Sequence, residues 1–264
     1  MEVPITFYIK LWMIAPFIII LLVVALETGF RIGLNNHKNG DTKESESSKI
    51  VLSSLLLVLG LILAFSFGAG VSRYEARKAA VNEEANAIGT LFYFAKFADE
   101  PERSDLRNKI YQYAQTRTTT NIDSPTVEEL KQIIANSEEL KFQVADLASQ
   151  IINNSETFTA YESSLLKATN DVLNANAKRA AVVNDTLPLS VIFLQLFIAA
   201  ISLGFAGYMS GLSGKLNRLQ IYALTFCLAL VIFTAQDFDR SLEGFIRVSH
   251  NSIDDVVSDM SVRL

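Results

Sequence analysis

Apolar and polar residues fall in long blocks along this chain, and four of the apolar blocks approach or exceed the length of a membrane crossing. The first runs from Ile5 to Leu26 and is broken only by Lys10, near enough to the block's end for its side chain to reach an interface. The second is uncharged from Ile50 to Val71, the third runs from Leu187 to Met209 and the fourth from Leu219 to Ala235. Since a helix needs about 20 residues to span the hydrocarbon, these blocks predict four transmembrane helices. The polar, turn-rich residues 35–49 predict a loop after the first span, and Ser210 to Arg218 a short glycine-rich turn inside an antiparallel hairpin of the last two.

The second block continues without a proline into Ser72–Lys78 and Glu83–Asn86, where charges recur at helical spacing. It therefore predicts one helix from Ile50 to Phe97, roughly 72 Å long at ~1.5 Å per residue, more than twice the hydrocarbon thickness. Pro101 opens the next helix, Glu102 to about Thr118, with Leu106, Ile110, Tyr113 and Ala114 on one side. Ser124-Pro125 with Glu128 and Glu129 starts another, which carries Leu130 to Ile151 at helical spacing and breaks at Asn153-Asn154; a last one runs from about Thr157 to Val183. The expected fold class is an all-α membrane protein: four transmembrane helices with a helical soluble domain inserted between the second and third spans. Residues 1–70 carry spans one and two, 71–186 the helical domain, 187–235 the hairpin and 236–264 a tail. Within the tail, Ser252 to Asp255 reads as a capping-box variant, followed by an amphipathic helix (Ile253, Val256, Val257, Met260) that docks on the domain.

Composition narrows the class. Half of the 264 residues are hydrophobic and 19% are charged, which suits a membrane part joined to a soluble one. The first block has no cleavage site before Glu27 and reads as an uncleaved anchor. Cys227 lies within an apolar run and reads as packing. Residues 71–186 hold 13 basic and 17 acidic side chains, net −4, which gives no footprint for nucleic acid. The sequence carries no metal-ligand spacing, phosphate loop or nucleophile motif, and neighbouring Glu83 and Glu84 point apart on a helix, so no enzyme, cofactor or metal is expected.

Two features carry candidate function. Gly60, Ala64, Gly68 and Ser72 form a stripe of small residues down one face of the central helix, either for packing within one subunit or for several copies to ring an axis. Phe65, Ser66 and Phe67 share that stretch, the phenylalanines facing lipid or narrowing a pore. Below lies a charged cluster, Arg73, Arg77, Lys78, Glu83 and Glu84, with Asp237 and Asp239 at the end of the fourth span. The two aspartates either bind a cation or pair with Arg73 or Arg77.

Leu63-Ala-Phe-Ser-Phe67, Arg73-Tyr-Glu-Ala-Arg-Lys78 and Glu84-Ala-Asn-Ala-Ile-Gly-Thr90 resemble the signature of the bacterial bestrophin-like membrane family, and more distantly the bestrophin anion channels. The tail from Gln236 to Ser249 is similar to the Asp-x-Asp-Arg ending of that family. Arg73-Tyr74 stands where bestrophins carry paired tryptophans, and small residues stand where their neck is bulky. The resemblance implies a homo-oligomeric channel, a pentamer, that passes inorganic ions, most simply anions, through a pore lined by the second span. It also implies a place in the inner membrane with the helical domain and termini cytoplasmic; basic residues near the span ends, eight against six, are too even to orient it. A non-conducting scaffold whose helical domain binds a partner is the other class left open.

Overall fold

Every regular element among the described residues is an α-helix. The computed structural model describes residues 11–39, 46–118, 126–155, 157–214, 218–240 and 244–264. In chain order the helices are α1 (Leu11–Lys38), α2 (Glu46–Ala95), α3 (Glu102–Arg117), α4 (Val127–Asn154), α5 (Ala160–Asn184), α6 (Leu189–Leu212), α7 (Arg218–Asp239) and α8 (Asn251–Arg263). Four helical runs are long and apolar enough to cross a membrane: in α1, in α2, in the run ending with α6, and in α7. The chain divides into two compact units, one of Tyr74–Asp185 with Arg247–Leu264, the other of the described residues in Ile5–Arg73 and Thr186–Ile246. The boundary falls inside α2, whose 50 residues contain no proline, and inside the tail, whose residues 236–246 and 247–264 go to different units.

The apolar unit contains α1, the first part of α2, α6 and α7. Ile18, Leu22, Leu26, Leu59, Leu63, Leu203 and Ile232 form its core. Its tightest seam joins α1 to α6, where a Cβ on Gly29 would overlap the carbonyl oxygen of Gly204, one on Gly207 that of Leu26, and one on Gly211 that of Phe30. Only glycine leaves room for backbones this close. Buried Ser66, Ser202 and Thr225 donate to carbonyls one turn back on their own helices, Ile62, Ile198 and Ile221. Gln195 is also buried, yet neither its amide nitrogen nor its oxygen meets a hydrogen-bond partner among the described residues.

Two expectations for this unit need correction. Of the expected loop 35–49, residues 35–38 and 46–49 are helix: α2 starts at Glu46, and α1 continues past Leu26 to Lys38 because its polar groups find partners on other helices. Glu27 accepts from Tyr222, Asn36 donates to Tyr208 at 3.3 Å, and His37 Nδ1 lies 2.7 Å from the Leu212 carbonyl, so it carries the ring proton. Cys227 is exposed in the single chain and not packed.

The helical unit contains the second part of α2 with α3, α4, α5 and α8 around Ile88, Leu91, Leu106, Ile110, Tyr113, Val144, Leu165, Val172 and Met260. Capping boxes start α4 (Thr126 with Glu129) and α5 (Thr159 with Glu162), satisfying the first free amides of each. The Ser124-Pro125 signal lies outside the described residues. At α8 the capping box expected at Ser252 is replaced: His250 is the N-cap, with no side-chain cap, and Ser252 lies inside the helix, donating to Asn82 Oδ1 at 2.6 Å. Ile253 packs with Val81 and Ala85 of α2, while Met260 joins the main core.

Candidate functional site

Within the apolar unit, α2 has two unlike faces. Leu59, Leu63, Ser66 and Gly70 are buried, and Gly70 approaches Phe238 and the Ala235 carbonyl of α7. Gly60, Ala64, Gly68 and Ser72 are all exposed, and a Cβ on Gly60 or Gly68 would meet nothing within 4 Å. At about 100° per residue these four lie within one third of the helix circumference. Among the described residues, then, Gly60 and Gly68 meet no other helix.

The three residues between the small positions separate. Phe65 is 71% exposed, Ser66 turns into the bundle, and Phe67 is 37% exposed with its ring edge-on to Phe238 at 5.3 Å. Phe65 can project from the unit, whereas Phe67 helps hold α2 to α7.

The charged residues also divide among different tasks. Arg73 meets Asp239, 3.8 Å from Nε to Oδ1, and both carboxylate oxygens of Asp239 also accept from the Leu187 amide at 2.9 Å. Asp237 accepts from the amides of Phe245 and Ile246 at 3.0 and 3.1 Å. Each aspartate thus holds a chain segment where helical hydrogen bonding fails, Asp239 just before α6 and Asp237 just after α7. The described residues contain no cluster of three or more potential metal ligands. Arg77, buried, donates to the carbonyls of Val182 and Asp185 at 3.3 and 3.0 Å, neutralising the C-terminal end of α5. Lys78 is exposed.

Glu83 and Glu84 point apart. Glu83 is exposed and pairs with Lys178 at 2.5 Å, but Glu84 is fully buried at the centre of a polar cluster. Arg117 contacts both its oxygens at 2.9 and 3.3 Å, Arg179 contacts Oε2 at 2.6 Å, and the Tyr113 hydroxyl donates to Oε1 at 2.9 Å. Asn176 links Tyr113 to Lys141. Burial alone would raise the Glu84 carboxyl, but the two guanidiniums outweigh it and bring it down to about 2. Burial, and then the Glu84 charge, push the Tyr113 phenol up, so it stays a donor. Arg117 is raised in spite of its burial, by Glu84, whereas Arg179 is lowered by burial and by the repulsion of Arg117. A carboxylate locked this way cannot exchange protons near neutrality, so its part is structural. The partners of Glu84 come from 29 to 95 residues away, and only the buried face of α3, carrying Tyr113 two turns from Leu106, hinted at them.

A family model described as the Bestrophin-like domain matches residues 6–253, nearly the whole chain. No curated protein matches. Among solved structures, a bacterial bestrophin homologue from Klebsiella pneumoniae superposes with a TM-score of 0.66 at 10% identity, covering 96% of this chain and 99% of that one. A point variant of the same homologue gives 0.66 at 10% identity over 94% and 97%, and another solved membrane protein 0.64 at 9% identity over 95% and 98%. Identity this low speaks for the fold alone, but the family match spans the four apolar runs, α3 to α5 and the start of α8. This chain belongs to the bestrophin-like family.

Proposed function

We propose that the protein is a homo-oligomeric ion channel of the inner membrane, a pentamer, in which the α2 helices surround the axis and the helical unit lies on the cytoplasmic side between the second and third spans. The observation that carries this reading is the outward stripe of α2. Among the described residues Gly60 and Gly68 meet no other helix and Ala64 is exposed, although helix faces of small residues are ordinarily spent on close helix contact. Symmetric copies ringing an axis account for such a face, which is then turned to that axis. Phe65 supplies the bulky edge of the narrow part.

Ion choice follows from which charges remain available. Arg73 and Arg77 are engaged with Asp239 and with backbone carbonyls, and Glu83 with Lys178. Lys78 and Glu75, one of each sign, are then the exposed charges next to the stripe; the anion preference rests on the resemblance to the bestrophin anion channels. Purified protein in a planar bilayer under a chloride gradient should reverse near the chloride potential, and Lys78→Glu should move the reversal towards the cation value. Detergent particles of pentamer mass that carry no current in either salt direction would favour the scaffold reading instead.

A further inference from the structure

Beyond α7 the chain turns back against the helix it has just left. The turn passes through Gly244, whose φ of 125° would strain any residue with a side chain. After it, the amides of Phe245 and Ile246 both donate to Asp237, at 3.0 and 3.1 Å, and the Phe245 ring meets Phe233 edge-on at 6.3 Å. Phe233 lies one turn before Asp237 in α7, so the ring reaches back above the charged end of the helix. At about 100° per residue, Phe226, Leu230, Phe233 and Asp237 lie within about one sixth of the helix circumference and form one strip. Phe226 and Leu230 are 58% and 52% exposed, and Phe245, at the end of the strip, is 86% exposed. Asp237, on the same line, is buried. A carboxylate on the outer side of a span is costly. The returning segment covers this one, gives it two amide donors and turns a phenyl ring outward in its place.

We propose, taking α7 as a membrane span, that Gly244, Phe245 and Ile246 form a lipid-contacting foot of α7: Asp237 holds Phe245 at the edge of the acyl chains, and Phe226, Leu230, Phe233 and Phe245 are the lipid-facing side of the span. Side-chain size selects lipid over a second copy of the chain as the occupant. Helices that meet inside a bilayer do so through small residues, as α1 and α6 do at Gly207 and Gly211. The strip on α7 carries only phenylalanine and leucine above Asp237, which leave no room for a close backbone approach and offer acyl chains a continuous apolar surface. The place of the ring, level with Phe233 and one turn inside the last carboxylates, is where headgroups give way to hydrocarbon.

Tryptophan fluorescence of the full-length protein in vesicles tests the foot. Trp12, the one tryptophan of the chain, is first replaced in Trp12→Phe. In that background Phe245→Trp and, as a reference within the span, Phe226→Trp are reconstituted into phosphatidylcholine brominated either near the headgroup or near the chain ends. Phe245→Trp should lose most of its emission to the shallow bromine and little to the deep one or to aqueous iodide, whereas Phe226→Trp should lose more to the deep bromine. Adding Asp237→Ala to Phe245→Trp should move the loss from the shallow bromine to iodide. Emission of Phe245→Trp that is lost to iodide alone, or to none of the three as beneath a second copy, would overturn the foot, and quenching of Phe226→Trp by the deep bromine would then show that the span itself stands. Phe226→Trp untouched by either lipid would overturn the lipid-facing strip as a whole. Unchanged quenching in folded Asp237→Ala protein would overturn the part given to the carboxylate, and if that variant does not fold the two tryptophan positions decide alone.

Discussion

The two units close their interiors by opposite means. In the apolar unit the tightest contact has no side chain in it: Gly29, Gly204, Gly207 and Gly211 let α1 and α6 meet backbone to backbone, and the buried hydroxyls bond within their own helices. In the helical unit, long side chains converge on one carboxylate, Glu84, inside an otherwise apolar core. On the reading proposed above, with one unit in lipid and the other in water, the difference follows the solvent. Lipid gives helices little hydrophobic reason to associate, so close fit must supply the attraction. Water gives that reason freely, and the helical unit can then bury an ion cluster whose desolvation its apolar core offsets. A glycine stripe that contacts nothing among the described residues, as at Gly60 and Gly68, is out of keeping with the first unit's own rule, and that mismatch directs attention to contacts beyond the single chain.

Substitutions should separate the two modes. The largest effect is expected from Gly207→Leu: the added atoms meet the carbonyl of Leu26, and backbone cannot step aside as a side chain can. The loss should exceed the ~1–3 kcal/mol of ordinary overpacking, visible as absence of folded protein in detergent by gel filtration. Glu84→Gln comes next, leaving Arg117 and Arg179 buried without their carboxylate; breaking such a cluster from one side costs about 3–5 kcal/mol, to be read in thermal unfolding at pH 7.5. Acid acts on the same residue in the same direction. The Glu84 contribution is complete above about pH 4.5 and is lost as the pH falls through about 2. Gln195→Leu should raise stability by about 1 kcal/mol or more, since the amide it removes is buried without a partner among the described residues. The smallest effect on the fold is expected from Gly68→Leu, where added atoms meet open space; its thermal unfolding should match the parent while the oligomer weakens by light scattering.

How much of this was legible in the sequence depends on how far each signal reaches. The continuous α2 was legible because it is local: no proline, charges at helical spacing, and an apolar run that passes directly into them. So was the amphipathic face of α8, from Ile253 to Met260. Its cap was not, because Ser252 is drawn away by Asn82, 170 residues earlier. The extension of α1 to Lys38 was hidden in the same way, since Asn36 and His37 read as loop until Tyr208 and the Leu212 carbonyl are beside them. The sequence places Arg77 just below a span, but its partners, carbonyls 105 and 108 residues on, were out of its reach. Small-residue stripes mark close contact without saying with what. The sequence shows Gly60, Ala64 and Gly68 as plainly as the α6 glycines, and only the fold shows that the second set is satisfied within the chain.

The central claim is that the outward face of α2 lines a pore, and chemical access to that face tests it most directly. Cys227 is exposed and is first replaced in Cys227→Ser. In that background, single cysteines are placed at the exposed Ala64 and at the buried Ser66, and a charged, water-soluble thiol reagent is added while current is recorded across a planar bilayer. The account predicts block of the current for Ala64→Cys and none for Ser66→Cys. Unaltered current through Ala64→Cys whose thiol is shown by mass to be modified, or equal block at both positions, would contradict it.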